Sequence, residues 1–131
     1  MSRLVFTPDV GLYLAEREQS IGDTHQLLAP TLFRSQILSL LYRAVGKGEI
    51  TKKEAVGRLS YVRSLRIRLL GDRVLQAFAW KFAEQLGWPD TLDAEYLALT
   101  RLQADALITL DEKLARAAES VVPVDCVDAL A

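Results

Sequence analysis

Runs of apolar residues separated by polar and turn-forming residues predict several buried strands along the chain. Leu4 to Phe6 is a short apolar run that ends before Pro8, as expected for a strand that finishes at a turn. The stretch ADALITL, Ala104 to Leu110, has the clearest buried-strand pattern, and Val121 to Val124 predicts a last strand. Leu65 to Leu70 alternates apolar and basic residues, so it predicts either a strand or an extended connection.

Apolar positions at helical spacing predict helices between these strands, and a loop or short helix is expected after the first strand. The predicted helices are Leu32 to Val45 after a Pro30–Thr31 start, a helix from a Thr51–Glu54 capping box, Asp72 to Leu86, Thr91 to Gln103, and a short helix from Asp111. In the third of these, Val74, Leu75, Phe78, Phe82 and Leu86 are expected to face inward. Strands that alternate with helices predict an α/β fold with a mostly parallel sheet covered on both faces.

Composition narrows the class of protein without identifying a function. The chain has 131 residues, half of them hydrophobic and a quarter charged, with a net charge of −1. This length and balance predict a single globular domain over residues 1–131 with no overall attraction to nucleic acid. The single cysteine and single histidine exclude an intramolecular disulfide and a zinc cluster built from these residue types. We expect a cytoplasmic protein, because no signal-peptide core or membrane-spanning apolar run is recognisable.

Three aspartates are candidates for a metal site. Asp9 follows the first predicted strand, Asp111 follows the ADALITL strand, and Asp93 lies in the first turn of the helix between them. In an open parallel sheet, ligands bind outside the carboxyl ends of the strands. We therefore expect these carboxylates to meet at one edge, where their oxygens suit a hard divalent cation such as Mg²⁺.

Each aspartate also has a purely structural interpretation. Asp9 and Asp111 stand where a residue caps a following helix, and Asp93 stands where a carboxylate favours the helix dipole. Residue type and spacing leave both interpretations open.

Three motifs resemble those of a known family over nearly the whole chain. PDVGLYLA (Pro8 to Ala15), LDAEYLALT (Leu92 to Thr100) and LITLDEKLARAA (Leu107 to Ala118) resemble the three acidic motifs of PIN-domain proteins. Their order and spacing are similar to those of bacterial VapC-type toxins, small ribonucleases encoded with an antitoxin. The resemblance implies a three-layer α/β/α sandwich, a Mg²⁺ or Mn²⁺ site at Asp9, Asp93 and Asp111, and metal-dependent cleavage of RNA. It also implies a small antitoxin partner and a homodimer.

Two positions depart from the family pattern. The family usually has a further glutamate in the helix after the first loop, and that position falls on Gln36. Gln36 keeps a carbonyl oxygen but supplies no negative charge, so we expect weakened or substrate-restricted activity. Gly11 stands where the first motif usually has a small polar residue.

Basic residues near these motifs are candidates for contacts to phosphate. Arg34, two residues before Gln36, is expected to reach the same edge and contact an RNA phosphate, and packing on the helix surface is the alternative. Arg63, Arg66, Arg68 and Arg73 form a local basic cluster. It is a candidate for contact with RNA phosphates or an acidic antitoxin segment, and a solvated strand face is the alternative.

The sequence therefore favours a metal-dependent endoribonuclease that acts as the toxin of a toxin–antitoxin pair. The alternative is a PIN module that has lost efficient cleavage and binds RNA or an antitoxin. A metal-dependent domain that acts on another substrate is a third, weaker interpretation.

Overall fold

The computed structural model describes residues 2–131, which form a central sheet flanked by helices. The elements are β1 (Ser2–Phe6), α1 (Pro8–Arg17), β2 (His25–Pro30), α2 (Phe33–Gly46), α3 (Lys52–Ser64), β3 (Ile67–Leu70), α4 (Arg73–Leu86), α5 (Leu92–Gln103), β4 (Ala106–Ile108), α6 (Glu112–Ala118), β5 (Val124–Asp125) and a final 3₁₀ turn (Val127–Leu130). This arrangement confirms the predicted α/β class.

The five strands of the sheet run parallel in the order β3-β2-β1-β4-β5. Leu4 of the central strand β1 is in register with Leu27 of β2 on one side and Ala106 of β4 on the other. Parallel strands are covered on both faces and therefore carry continuous apolar runs. Val5 and Phe6 are accordingly fully buried, and the predicted parallel sheet is confirmed.

Strand β2 is absent from the predicted pattern. Ala29 and Pro30 were expected to start a helix, but they end β2, and Pro30 pairs with Leu70 of β3. Helix α2 begins later, at Phe33, with Leu32 at its N-cap and no capping bond from a side chain. Thr31 is therefore not the cap. A short apolar run carries no periodicity that separates a buried strand from the start of a helix.

The last two strands are shorter than predicted. Strand β4 contains only Ala106–Ile108, since Ala104 ends α5 and Asp105 precedes the ladder. Val121 and Val122 do not belong to β5, because their N–H groups donate to the carbonyl of Ala118 and close the end of α6. Contacts with the rest of the fold, and not the local apolar pattern, set the boundaries of β4 and β5.

Most of the helix ends follow the predicted capping residues. Thr51 and Glu54 form a reciprocal capping box, and Asp72 accepts a hydrogen bond from Leu75 N at 2.9 Å. Thr91 precedes α5 but its side chain makes no capping bond. Val74 is 53% exposed, so its predicted inward orientation is wrong.

Helix α5 is the helix most deeply embedded in the core. It packs on α4 and on the strands β1, β2 and β4, and its residues Tyr96, Leu97 and Ala98 have no exposed surface. This packing fixes the first turn of α5, which carries Asp93, relative to the ends of the strands. Within residues 2–131, no helix combines the length and hydropathy that a membrane crossing requires.

The buried face of α5 predicts a large difference between two leucines of the same helix. Leu97→Ala should lower the free energy of unfolding by about 2–5 kcal/mol, because it leaves a cavity at a fully buried position. Leu102→Ala, at a position that is 37% exposed, should cost about 1 kcal/mol or less. Urea denaturation followed by circular dichroism measures both values. Equal losses would contradict the proposed place of α5 in the core.

Candidate active site

Hydrogen bonds join the carboxyl ends of β1 and β4 side by side. Thr7 N donates to the carbonyl of Ile108 at 3.2 Å, which extends the ladder beyond the last paired residues. The hydroxyl oxygens of Thr7 and Thr109 lie 3.1 Å apart, and both threonines are buried. The segments that follow the two strands therefore leave the sheet together.

Asp9 lies in the first turn of α1, and its carboxylate links the two segments. Its Oδ1 accepts hydrogen bonds from the hydroxyl of Thr7 and from Val10 N. Its Oδ2 accepts from Leu110 N at 3.1 Å, across the gap between β1 and β4. These bonds fix the orientation of the half-buried carboxylate at the sheet edge.

Asp111 is the N-cap of α6. Its Oδ1 accepts from Lys113 N and Leu114 N, each at 3.0 Å, so the capping interpretation is correct. Its Oδ2 makes no hydrogen bond with residues 2–131 and is available to a ligand. The capping role thus leaves one oxygen for another function.

Asp93 is the carboxylate whose ionisation the surroundings disfavour. Burial raises its pKa above the ordinary value, and the negative charges of Asp111, Asp90 and Asp9 raise it further. Its side chain still has exposed surface and makes no hydrogen bond with the described part of the chain. A cation bound beside Asp93 would remove this electrostatic penalty.

Gln36 is joined to the same region through Tyr96. The hydroxyl of Tyr96 donates to Gln36 Oε1 at 2.5 Å. Burial raises the pKa of Tyr96, as do the charges of Asp93, Glu95 and Asp9, so the phenol stays protonated and acts as the donor. This bond connects α2 to α5 three residues after Asp93.

These side chains line one cleft of about 430 Å³, a volume typical of small-ligand sites. The cleft brings together all four residues assigned to the site from sequence: Asp9, Gln36, Asp93 and Asp111. It lies at the carboxyl edge of the sheet, where ligands bind in open parallel sheets.

Two polar residues of the cleft were missed by the sequence analysis. Ser39 and Arg43 line it together with Gln36. They follow Gln36 by three and seven residues, so all three lie on one face of α2. That spacing could have identified them once Gln36 was assigned to the site.

Arg34 does not line the acidic cleft. It borders a separate groove between α2, α3 and β3, together with Leu59 and Ile67. Residues two apart on a helix do not share a face, so this arrangement does not support the expected reach of Arg34 to the acidic edge, which stays a prediction.

Gly11 occupies a position with little space for a side chain. A Cβ atom there would lie 3.2 Å from Phe33 Cζ and 3.4 Å from Ile37 Cδ1. Both atoms belong to side chains, which would have to move by a few tenths of an ångström to admit a Cβ atom, so the position is tight but not closed to a small side chain.

The donor set suits a divalent metal ion, although the carboxylates do not form a closed cage. Within residues 2–131, no three His, Cys, Asp or Glu side chains are close enough together to hold a metal ion. Mg²⁺ keeps several waters and is usually held by only one or two carboxylates. The mutual repulsion at Asp93 and the free oxygen of Asp111 therefore fit such an ion without a preformed cage.

The raised pKa of Asp93 predicts a pH-dependent effect of neutralising it. The native state binds the Asp93 proton more tightly than the unfolded chain, so ionisation costs stability as the pH rises above 3.8, the ordinary value. In metal-free buffer, Asp93→Asn should increase the free energy of unfolding at pH 7. The gain should shrink as the pH is lowered and disappear below the ordinary pKa. Urea titrations across this pH range measure the effect. Destabilisation by Asp93→Asn at pH 7 would contradict the raised pKa of Asp93.

Comparison with known proteins identifies the fold. Neither the protein-family models nor the curated proteins that were searched match this sequence. The crystal structure of PAE2754 from Pyrobaculum aerophilum is similar with a TM-score of 0.73 and 18% identity, and the match covers 98% of this chain and 93% of that chain.

A chain of VapBC-1 from nontypeable Haemophilus influenzae is also similar. The TM-score is 0.61 and the identity is 13%, and the match covers 96% of this chain and 98% of that chain. At these identities the likeness concerns the fold. The chain therefore shares the α/β fold of these two structures, with a five-stranded parallel sheet flanked by helices, which agrees with the fold class that the sequence motifs implied.

Proposed function

We propose that this protein is a metal-dependent endoribonuclease of the PIN, VapC-like type, and the toxin of a toxin–antitoxin pair. The observation that carries the proposal is the meeting of Asp9, Asp93 and Asp111 with Gln36 in one cleft. The cleft lies at the carboxyl edge of a PIN-like sheet, and the three aspartates come from the three motifs that resemble the family.

In this proposal, Asp9, Asp93 and Asp111 would bind Mg²⁺ or Mn²⁺ as a set in which only one or two carboxylates contact the ion directly, since the three are not grouped closely enough to cage it. Bound there, such an ion would supply Lewis-acid stabilisation of the phosphodiester and activation of water. The protein contributes orientation: Leu110 N and the hydroxyl of Thr7 fix Asp9, and the α6 backbone fixes Asp111. Rigid carboxylates bind a cation with less loss of side-chain entropy.

Gln36 is the residue that should limit the activity. Replacing a carboxylate by an amide removes an attraction to the cation of about 4 kcal/mol per unit-charge pair at close range, for an effective dielectric constant near 20 and before desolvation is counted. The amide cannot act as a base. We therefore propose weaker cleavage than an intact set of acids would give.

The second candidate function is a non-catalytic PIN module that binds RNA or an antitoxin. Two features favour it: position 36 carries no acidic side chain, and no three acidic side chains of residues 2–131 are grouped closely enough for a metal ion. Cleavage of a mixed RNA substrate that requires Mn²⁺ or Mg²⁺ and stops with EDTA supports the enzyme. RNA binding without cleavage supports the module.

The proposed partners are a small antitoxin and a second copy of the chain. The structure named VapBC-1 supports the first of these. Surface that a partner could cover includes Leu38 and Tyr42 on α2 and Trp80 on α4, which are 57%, 80% and 66% exposed. Phe78, expected to face inward, is half-buried and packs edge-to-face on Phe82.

Metal binding should depend on the aspartates of the cleft. Mn²⁺ should bind the wild type more tightly than an Asp93→Asn, Asp111→Asn variant, because the variant loses two of the three charges. Isothermal titration calorimetry measures the affinity. An Asp23→Asn, Asp128→Asn variant is the control, since it removes the same charge at exposed positions outside the cleft. Equal Mn²⁺ affinity in all three proteins would eliminate the metal site.

Gln36→Glu should restore the missing charge with almost no change in shape. We expect higher Mn²⁺ affinity and faster RNA cleavage than in the wild type, with Asp9→Asn as the inactive reference. Gln76→Glu, the same change at an exposed position of α4, is the matched control. If Gln36→Glu behaves like Gln76→Glu in both assays, position 36 is not a substituted ligand position.

A further inference from the structure

Helix α2 forms one wall of the cleft, and its side chains there are neutral or basic, unlike the acidic side chains of the other walls. The acidic residues come from the starts of α1, α5 and α6, whereas α2 contributes Gln36, Ser39 and Arg43. Their spacing of three, four and seven residues places them along one face of the helix. The bond from Tyr96 to Gln36 fixes this face toward α5.

Arg43 has no partner within the described part of the chain. The ion pairs of residues 2–131 are Arg17 with Glu16 and Arg58 with Glu54. The Arg43 guanidinium makes no hydrogen bond there either, and its side chain is exposed. Although it lines a cleft with three carboxylates, it pairs with none of them, so its five N–H donors are available to a ligand.

A positively charged side chain such as Arg43 favours the entry of a polyanion into this acidic cleft. When ionised, Asp9, Asp93 and Asp111 carry three negative charges, and a divalent ion, if bound, would compensate two of them. The guanidinium of Arg43 compensates the third. Without Arg43, a phosphodiester would approach a cleft that keeps a net negative charge.

We propose that Arg43 is a substrate-binding residue that donates hydrogen bonds to a phosphate of single-stranded RNA in the cleft, with the Ser39 hydroxyl as a second donor. The planar guanidinium matches phosphate oxygens in a bidentate arrangement. This inference rests on the proposed function and assigns the phosphate contact to Arg43 in place of Arg34.

Arg34 supplies a matched control on the same helix. Both arginines are exposed residues of α2, and replacing either one changes the net charge of the protein equally. Arg34, however, borders the separate groove formed with α3 and β3. A difference in RNA affinity between the Arg43 and Arg34 variants therefore reflects whether the arginine lies in the cleft, and not the net charge of the protein.

The test is RNA binding by the full chain, measured by fluorescence anisotropy with a short labelled single-stranded RNA in the presence of Ca²⁺, which replaces the Mg²⁺ or Mn²⁺ proposed to support cleavage. Gel analysis after each titration verifies that the RNA is intact. Arg43→Gln should weaken binding by about tenfold and reduce the slope of log affinity against log salt by about 0.7, the value for one phosphate contact on a single strand. Arg34→Gln should change neither quantity.

Arg43→Lys separates charge from geometry. Lysine keeps the charge but loses the bidentate fork, so the salt slope should return to the wild-type value while affinity recovers only in part. Calorimetric Mn²⁺ affinity should be unchanged or slightly increased in Arg43→Gln, because Arg43 is not a ligand. A fall in Mn²⁺ affinity would show that the variant disturbs the cleft itself and would overturn the assignment.

The outcomes distinguish this inference from the proposed function. If wild type binds RNA and Arg43→Gln binds it equally well, or if Arg34→Gln loses as much affinity, the role of Arg43 is wrong and the nuclease proposal stands. If wild type binds no RNA, both fail. If a glutamate-rich peptide, and not RNA, binds in an Arg43-dependent way, the cleft receives an acidic protein segment and both fail again.

Discussion

The hydrogen bonds between the carboxyl ends of β1 and β4 are the constraint on which the rest of the site depends. Parallel pairing of the central strand β1 with its neighbour β4 brings Thr7 and Thr109 together, and Leu110 N donates to the carboxylate of Asp9 across the gap. Asp9 and Asp111 are far apart in sequence, yet this junction places them in the same cleft. Any register shift between β1 and β4 would separate them.

Helices α5 and α2 supply the other residues of the cleft around this β1–β4 junction. The buried face of α5 fixes Asp93 close enough to Asp9 and Asp111 for their charges to raise its pKa. Tyr96, on the same helix, binds Gln36 and thereby sets the face that α2 presents. The cleft thus has acidic residues from three helix starts and neutral or basic donors from α2, which suits the binding of a cation and a phosphodiester together.

The sequence predicted the parts of this arrangement that depend on local pattern. Asp9 and Asp111 could be assigned to one edge because each directly follows a strand, and parallel strands end at the same edge. Strand β2 was missed because its short apolar run has no helical or alternating period. Arg43 was missed because Arg34 was considered only for its closeness to Gln36 in sequence, although the spacing of seven residues places Gln36 and Arg43 on one face of α2. The spacing of the carboxylates depends on packing and could not be predicted at all.

The most direct measurement is a crystal structure of the protein grown with Mn²⁺, with anomalous diffraction used to locate the metal. The account predicts an anomalous peak in the cleft, within bonding distance of at least one oxygen of Asp93 or Asp111. It also predicts that Asp9 keeps its bonds to Thr7 and Leu110. A cleft without a peak at millimolar Mn²⁺, or a peak bound elsewhere on the surface, would contradict it.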